Sequence, residues 1–314
     1  MRTLALLFPG QGAQAVGMGR ELVETCPEAK DVFRRADEAL GTKLSRVILE
    51  GPETDLNRTD LAQPALLTAE IAAWEALRAR VELPAARLIA AGHSLGEYAA
   101  WVAAGTFTFE TALRLVRLRG EAMQEAARAS GGSMAAVMGK SADEVEDLCR
   151  EASPEGEVQV ANYNAPGQIV VSGSQTGLQR LTSAAAERKI KLILLKVSGP
   201  FHSKFMAPAA RRLAEALEGV EPAPPAWPVV ANATGEPVAE AGTVKSLLVA
   251  QVTGAVRWEA SVLRMHDLGV RTALEIGPGR VLKGLLKKTV PDIAVTGVSR
   301  PEDIDAAAAA AAAD

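Results

Sequence analysis

The sequence is poor in cysteine, histidine and aromatic residues. Its 314 residues include two cysteines, Cys26 and Cys149, and three histidines, and aromatic side chains make up 4% of the chain. The cysteines lie far apart and form no CxxC pair, which fits a reducing compartment better than a disulfide framework. The cysteines and histidines show no metal-ligand spacing, so no metal site is expected.

Runs of like charge and long apolar runs are also missing. The 34 lysines and arginines and 38 aspartates and glutamates give a formal net charge of −4 without a basic run, which argues against nucleic acid and anionic membranes as partners. The N-terminal stretch MRTLALLFPGQG combines one arginine with a short apolar run and no cleavage site of small residues. It therefore predicts neither a spanning helix nor an export signal, and the expected location is the cytoplasm.

Short apolar runs alternate with amphipathic helical patterns in the first part of the chain. Residues 3–8 and 87–91 are predicted as buried strands, and residues 61–80 and 109–128 as helices. Because strands buried on both faces are almost entirely apolar, this alternation predicts an α/β architecture with a mainly parallel sheet.

The pattern changes after the glycine pair at 131–132. The order of predicted elements becomes β-α-β-β-α-β, which is the ferredoxin-like arrangement. These elements are predicted at 134–138, 142–151, 157–163, 168–172, 175–188 and 190–196. From about residue 208 the α/β pattern resumes, with helices at 208–218, 245–252 and 258–268 and strands near 229 and at 271–276.

This order predicts one domain interrupted by another. The α/β domain comprises residues 1–130 and 198–305, and the ferredoxin-like subdomain comprises residues 131–197. Residues 306–314 form a low-complexity alanine tail without an amphipathic face, so we expect a frayed or disordered end.

One serine lies in a motif typical of nucleophilic enzymes. The segment GHSLG, with Ser94 at its centre, fits G-x-S-x-G and lies between a predicted strand and an alanine-rich helical stretch, which is the context that this motif requires. A tight turn there forces the serine into strained backbone angles and exposes its hydroxyl. The alternative is an ordinary turn in which Ser94 only caps the helix.

A serine hydroxyl is a weak nucleophile unless a base lies within hydrogen-bond reach. Adjacent residues at a strand end point to opposite sides, so His93 is expected to face away from Ser94 and to be structural. His266 lies near the end of a predicted helix, where a histidine complements the helix dipole. His202 follows the last strand of the insert in the loop GPFHS and is the candidate base; a surface-loop histidine is the alternative.

Arg119 is a charged residue on the apolar face of its predicted helix. It shares the helical spacing of Ala112, Val116 and Met123, which form an apolar stripe. Because burying an unpaired guanidinium is costly, Arg119 needs a carboxylate, either resident or delivered by a ligand. Its planar fork suits bidentate capture of such a group. An internal salt bridge, or snorkelling to the edge of the stripe, is the alternative.

The glycine-rich segment PGQGAQ at 9–14 follows the first predicted strand. It has neither the G-x-G-x-x-G spacing nor a following GK[ST], so it predicts no dinucleotide or phosphate loop. Gln11 there can help to position an amide that binds an oxyanion beside the serine, and a simple tight turn is the alternative.

Six motifs together resemble the malonyl-CoA:acyl carrier protein transacylases, acyltransferases of fatty-acid and polyketide synthesis. The similarity runs in order over about residues 3 to 300. The motifs are FPGQGAQ at 8–14, QPALLTAE at 63–70, GHSLGEYAAWVAAG at 92–105, LVRLRGEAMQEA at 115–126, GPFHS at 199–203 and EIGPG at 275–279.

The resemblance implies a hydrolase-like α/β domain interrupted by a ferredoxin-like subdomain. It implies Ser94 as nucleophile, His202 as its base and Arg119 as the clamp for the malonyl carboxylate. The backbone amides of Gln11 and Leu95 are implied as the oxyanion hole.

Further residues follow from the same resemblance. The main-chain carbonyl of Gln251 is implied to orient the ring of His202 in place of a carboxylate. Gln63 is implied to line the pocket, and Asn162 to lie near the entrance for coenzyme A. Phe201 matches a phenylalanine that accompanies malonyl rather than methylmalonyl units in related polyketide acyltransferases.

The implied activity is malonyl transfer from malonyl-CoA to the pantetheine thiol of acyl carrier protein through a malonyl-serine intermediate. Malonyl-CoA is then a substrate, and no cofactor is expected; the partners are malonyl-CoA and acyl carrier protein, with neither nucleic acid nor membrane. The sequence leaves open the pathway, the carrier protein and the oligomeric state, for which a monomer is one option. A serine esterase or thioesterase and a non-catalytic module that binds carrier protein are the rival functions, and Arg119 distinguishes the first because a simple esterase pocket does not need it.

Overall fold

The computed structural model describes residues 3–153 and 157–312 as a mixed α/β molecule with two separate sheets. The strands in chain order are β1 (Thr3–Phe8), β2 (Leu88–Gly92), β3 (Ser133–Met138), β4 (Val158–Ala165), β5 (Gln168–Gly173), β6 (Lys191–Leu194), β7 (Val229–Val230), β8 (Pro237–Val238), β9 (Val270–Ile276) and β10 (Ala294–Val298).

The helices are named in the same way. In chain order they are α1 (Arg20–Thr25), α2 (Pro27–Leu40), α3 (Leu44–Glu50), α4 (Glu53–Leu56), α5 (Thr59–Arg78), α6 (Gly96–Ala103), α7 (Phe109–Ser130), α8 (Ala142–Ala152), α9 (Gln175–Glu187), α10 (Ala207–Glu218), α11 (Val244–Thr253), α12 (Trp258–Asp267), α13 (Val281–Thr289) and α14 (Asp303–Ala312). None of the described helices combines the length and apolarity needed to cross a bilayer.

The larger sheet has six strands in the order β10-β9-β1-β2-β7-β8. All of its pairings are parallel except that of β7 with β8. Strands β1 and β2 at its centre are apolar because both faces are covered; Leu6 and Leu7, on opposite faces of β1, are both 0% exposed. The predicted α/β fold class with a mainly parallel sheet is confirmed.

The carboxyl ends of β1 and β2 lie side by side in this sheet. Phe8, the last residue of β1, pairs with Gly92, the last residue of β2. The PGQG segment and the GHSLG turn therefore leave the sheet at the same edge. In open parallel sheets this edge is where ligands bind.

The smaller sheet has four antiparallel strands in the order β4-β5-β3-β6. With α8 and α9 it shows the predicted β-α-β-β-α-β order, and it has its own apolar cluster that includes Val137, Leu148 and Leu181. α8 begins at a capping box in which Ser141 and Glu144 satisfy each other's backbone amides. The domain boundaries at 131 and 197 stay a prediction.

Helix α7 carries Arg119 and has well-defined ends. The Thr108 side chain caps its first turn, and Gly131 ends it in the left-handed conformation at φ 59°. A Cβ on Gly120 would lie 2.7 Å from the Thr59 carbonyl oxygen, so glycine is what allows α7 to cross the start of α5 this closely. The crossing brings the middle of α7 next to the first turns of α5.

The alanine tail differs from its prediction. Residues 306–312 belong to helix α14, which packs against β10 and buries Ile304, Ala307 and Ala311. The expectation of a frayed or disordered end is therefore wrong for these residues, and residues 313–314 lie outside the described part. An alanine-rich helix can pack against a neighbour without being amphipathic, because its side chains are small and apolar on every face.

Candidate active site

Ser94 lies in a sharp turn between β2 and α6, as predicted. Its φ is 51°, in the left-handed region that non-glycine residues rarely adopt. A Cβ on Gly92 would overlap the carbonyl group of Gly96, and a Cβ on Gly96 would overlap the Phe8 carbonyl oxygen. Both glycines are therefore required by close backbone approach, and the turn is strained at Ser94 itself.

His202 meets Ser94 at this turn. The Ser94 Oγ lies 2.8 Å from His202 Nε2, and His202 Nδ1 lies 2.8 Å from the carbonyl oxygen of Gln251. Because a carbonyl only accepts, Nδ1 carries the proton and donates it, which leaves the Nε2 lone pair facing the serine hydroxyl. His202 is 4% exposed and has a φ of 56°, so it too is held in a strained conformation.

The surroundings of His202 keep its imidazole neutral. Burial is the main cause, and the positive charge of Arg119 adds to it; together they lower the pKa of His202 to about 3. A neutral imidazole at physiological pH has the free lone pair that a general base needs.

The other two histidines are engaged elsewhere. His93 Nε2 lies 2.8 Å from Asn164 Oδ1, and its ring contacts Trp258 at a centroid distance of 5.6 Å, while its edge borders the cavity beside Ser94. His266 lies near the end of α12 with its Nε2 3.0 Å from Asp292 Oδ2. Neither ring contacts the Ser94 hydroxyl.

Arg119 is 1% exposed, and its guanidinium is aimed at the serine. Nη2 donates to Ser94 Oγ at 3.0 Å and to Gln251 Oε1 at 2.8 Å, and Nη1 donates to Gln63 Oε1 at 2.7 Å. The guanidinium also lies over the Tyr98 ring at 5.6 Å.

No carboxylate of the described residues forms an ion pair with Arg119, and its Nε has no hydrogen-bond partner among them. The two alternatives from the sequence, a direct internal salt bridge and snorkelling to the edge of the apolar stripe, are therefore wrong. The structure presents a buried cation that no carboxylate contacts directly within the described residues, so a ligand carboxylate can pair with it.

Two backbone amides remain available beside Ser94. Neither the Gln11 amide nor the Leu95 amide donates a hydrogen bond to another residue within 3–153 and 157–312. Leu95 immediately precedes α6, so its amide belongs to the unsatisfied donors at the start of a helix. Both residues line the same cavity as Ser94.

These groups open into a cavity of about 360 Å³. Its lining includes Val170 of β5, a strand of the smaller sheet, and Leu285 of α13. The structure brings the residues selected from the sequence to this cavity, with Gln251 just behind its wall. Those on the wall are Gln11, Gln63, Ser94, Leu95, Arg119, Asn162, Phe201 and His202.

Sequence reasoning missed the buried polar groups below the turn. Glu97 is 0% exposed and accepts hydrogen bonds from the Asn232 backbone amide at 3.0 Å, from Gln251 Nε2 at 2.7 Å and from Trp101 Nε1 at 3.3 Å. Burial raises the pKa of Glu97 to about 7. A charged residue in the otherwise apolar run EYAAWVAA was the signal that could have revealed it.

Asn232 and the Gln251 side chain brace the turn directly. The Ser94 amide donates to Asn232 Oδ1 at 2.6 Å, and Asn232 Nδ2 donates to the Gly92 carbonyl oxygen at 2.7 Å. Gln251 Nε2 also donates to the Ser94 carbonyl oxygen at 2.9 Å. These bonds hold the strained backbone of Ser94 from below.

Comparison with known proteins assigns the chain to a class. The family described as acyl transferase domain matches residues 5–311 of the chain. A serine on a strained turn with a histidine base and free amide donors is an arrangement suited to acyl transfer.

The individual relatives agree with one another. The chain is 45% identical over 309 residues to the malonyl CoA-acyl carrier protein transacylase of Bacillus subtilis (strain 168), which covers 98% of this chain and 96% of the relative. Its structure is similar to that of the acyl-carrier-protein-S-malonyltransferase of Bartonella henselae, with a TM-score of 0.95, 41% identity and 99% of each chain covered.

A further similar structure contains a carrier protein. It is a malonyl-transacylase in complex with its type II PKS acyl-carrier protein, with a TM-score of 0.92, 38% identity, and 98% of this chain and 99% of the other covered. The chain belongs to the malonyl CoA-acyl carrier protein transacylase family.

Proposed function

We propose that this protein transfers the malonyl group from malonyl-CoA to acyl carrier protein through an ester on Ser94. The observation that carries the proposal is the buried guanidinium of Arg119, which has no ion-pair partner among the described residues and lies 3.0 Å from the Ser94 hydroxyl oxygen. A malonyl group on Ser94 ends in a carboxylate one methylene beyond the ester carbonyl. The names of its relatives support malonyl-CoA and acyl carrier protein as the two substrates.

In the first half-reaction the malonyl group moves from coenzyme A to the enzyme. His202 Nε2 accepts the proton of Ser94 as Oγ attacks the thioester carbonyl carbon. The amides of Gln11 and Leu95 donate to the oxyanion that forms. When the intermediate collapses, the carbon–sulfur bond breaks, and His202 returns the proton to the departing thiolate of coenzyme A.

The second half-reaction repeats these steps with another thiol. His202 takes the proton of the pantetheine thiol of carrier protein, whose sulfur attacks the malonyl-serine ester. The collapse of this intermediate releases Ser94, which recovers its proton from His202. Exchange between two thioesters is nearly thermoneutral, so the reaction runs in both directions.

The remaining site residues position these groups. The Gln251 carbonyl oxygen holds the Nδ1–H of His202 and fixes the tautomer, as a carboxylate does in hydrolase triads. Arg119 binds the malonyl carboxylate, and Gln63 holds Nη1 of Arg119. Phe201 and Asn162 line the same cavity; in this proposal Phe201 favours malonyl over branched units, and Asn162 lies near the entrance for coenzyme A. We propose that the reaction needs no cofactor and that it takes place in the cytoplasm.

A serine hydrolase shares the turn and the histidine, so the first experiment separates transfer from hydrolysis. The protein is mixed with malonyl-CoA alone, and both the Ser94 peptide and the released coenzyme A are followed. We expect one malonyl adduct per chain, a burst of coenzyme A that then stops, and discharge of the adduct by holo acyl carrier protein. Continuous release of coenzyme A without an adduct would support the hydrolase instead.

The clamp is tested by Arg119→Ala. Because the variant removes the cation that pairs with the malonyl carboxylate, kcat/KM for malonyl-CoA should fall about a hundredfold or more relative to that for acetyl-CoA. Arg114→Ala is the matched control: Arg114 lies on the same helix but is exposed, so the ratio should not change. Equal losses for both esters in Arg119→Ala would remove the clamp role.

A further inference from the structure

Glu97 is linked to Arg119 by a single side chain. Arg119 Nη2 donates to Gln251 Oε1 at 2.8 Å, and Gln251 Nε2 donates to Glu97 Oε2 at 2.7 Å. Arg119 is 1% exposed and Glu97 is 0% exposed. The carboxylate and the cation therefore interact across one amide, and because both side chains are buried their charges are weakly screened.

The other groups around Glu97 carry no charge at neutral pH. From its own helix, Trp101 donates an indole N–H, and Tyr98 stays neutral because burial raises the pKa of its hydroxyl. The loop after β7 contributes the Asn232 amide, and α11 contributes the Gln251 amide. His202 is neutral because burial and Arg119 lower its pKa. Within the described residues, Arg119 and Glu97 are thus the two charged groups of this cluster.

A malonyl group adds a second carboxylate to this pair. Two carboxylates that share one buried cation repel each other, and a low dielectric strengthens the repulsion. The malonyl carboxylate is the more acidic of the two, and in the proposed malonyl-enzyme it lies directly against Arg119. Glu97 is already close to protonation in the empty site, because burial raises its pKa to about 7.

We propose that Glu97 is a specificity-determining residue for the malonyl group: it is the countercharge of Arg119 in the empty site and takes up one proton from solvent when the malonyl carboxylate pairs with Arg119. Glu97 acts through Gln251 and Arg119 and does not touch the substrate. This inference rests on the proposed function. Above the pKa of Glu97 one carboxylate is gained and one is neutralised, so loading does not change the net charge of the cluster.

The preference for malonyl over acetyl depends on pH through the protonation of Glu97. Below the pKa of Glu97 in the empty enzyme, about 7, the residue already carries its proton and malonyl binds without further cost. Above that pH Glu97 has to take up a proton when malonyl binds, and this uptake becomes less favourable as the proton concentration falls. The preference for malonyl over acetyl therefore falls as pH rises, by up to about tenfold per pH unit.

The test measures kcat/KM for malonyl-CoA and for acetyl-CoA from about pH 6 to about pH 8.5 and follows their ratio. The titrations of His202 and of the coenzyme A thiol affect both esters and cancel in the ratio. We expect the malonyl-to-acetyl ratio to be constant below about pH 7 and to fall above it. A flat ratio over the whole range would overturn the proposal.

The variant Glu97→Gln tests whether the ionisation of Glu97 causes the pH dependence of the ratio. Glutamine retains an oxygen that accepts from Gln251 Nε2 and resembles the protonated acid, so the ratio should become independent of pH, at the value the unmodified protein shows at low pH. Glu70→Gln is the matched control, because Glu70 is another buried glutamate with a raised pKa but has no hydrogen bond to the site. It should keep the wild-type slope. A slope that persists in Glu97→Gln would also overturn the inference.

A measurement on the unmodified protein covers the case in which Glu97→Gln does not fold. The heat of malonyl loading at about pH 7.5 is compared in two buffers of different ionisation enthalpy, which gives the number of protons bound. We expect net uptake of a fraction of one proton, up to about one, with malonyl-CoA and none with acetyl-CoA. No uptake with malonyl-CoA would contradict the proposal.

The outcomes separate this inference from the function on which it rests. If the protein forms a malonyl-serine ester and discharges it to carrier protein while the ratio stays flat, the role of Glu97 is wrong and the function stands. If no such ester forms at any pH, the proposed function itself fails.

Discussion

At the scale of single residues, the two histidines near Ser94 differ in what they contact. His202 places Nε2 2.8 Å from the Ser94 hydroxyl oxygen, whereas His93 places its Nε2 2.8 Å from Asn164. His202→Ala should therefore slow acylation of Ser94 by malonyl-CoA by roughly a hundredfold to ten-thousandfold. The rate is measured by quenching and by mass analysis of the Ser94 peptide.

His93→Ala serves as the comparison. It removes the hydrogen bond to Asn164 and the ring contact with Trp258, so it should lower the free energy of unfolding by about 1 to 3 kcal/mol and leave acylation nearly unchanged. If this variant folds normally and is not acylated, His93 is the base and the assignment is reversed.

Single functional residues could be predicted where a charged side chain interrupts an apolar pattern. Arg119 was found because a guanidinium on an apolar stripe needs a partner. Glu97 presents the same conflict in an apolar helix, yet its importance depends on the Gln251 side chain, which comes from a segment far along the chain. The sequence shows that such a group is buried, and only the fold shows which other group it faces.

At the scale of elements, the strand–turn–helix around Ser94 depends on glycine at two positions. Gly92→Ala should prevent the turn from forming, because its Cβ would overlap the Gly96 carbonyl group. We expect a loss of about 3 kcal/mol or more in the free energy of unfolding, together with loss of Ser94 acylation. Chemical denaturation and the adduct assay measure the two effects.

Gly219→Ala is the corresponding control. A Cβ at Gly219 meets no atom within 4 Å, and its φ of −85° suits any residue. This variant should change stability by less than about 1 kcal/mol and leave acylation intact. Similar losses at both glycines would show that the close backbone approach at the turn is not what Gly92 provides.

The elements that were predicted lie within a few residues of their observed bounds, but others were missed, among them the amphipathic helices α2 and α13. Helix α7 was expected at 109–128 and spans Phe109–Ser130. The short helices α1, α3 and α4 were missed because 4 to 7 residues show too little periodicity. Strand β10, AVTGV, was missed because it is only partly buried. Short elements depend on the tertiary contacts that stabilise them, and local sequence does not contain these contacts.

At the scale of the whole molecule, an unpaired carboxyl group affects stability. Glu70 is 0% exposed, and neither of its carboxyl oxygens has a hydrogen-bond partner among the described residues, so burial raises its pKa well above 4.5. The folded chain then holds this proton to a higher pH than the unfolded chain does. The contribution of Glu70 to stability is therefore lost progressively as pH rises above about 4.5.

Glu70→Gln removes this linkage. The variant should gain stability over the unmodified protein as pH rises from about 5 to about 7.5, by up to about 1.4 kcal/mol per pH unit. Urea unfolding of both proteins at the two pH values measures the difference, in which the titration of every other group cancels. A difference that does not change with pH would mean that Glu70 ionises in the folded chain as it does in the unfolded one.

At this scale, the sequence pattern could not predict which distant residues meet in the site. Ser94, Arg119, His202 and Gln251 come from separate parts of the chain, and their meeting depends on the strand order β10-β9-β1-β2-β7-β8 and on the close crossing of α7 over α5. Residue pattern predicts that the strands exist and are parallel. It does not order them, so the motif resemblance rather than the pattern placed these groups together.

Ser94 and His202 both have positive φ, although neither is glycine. Replacing either with glycine would relax the backbone and abolish the reaction at the same time. The backbone strain at these two positions works against stability, and selection for turnover maintains it.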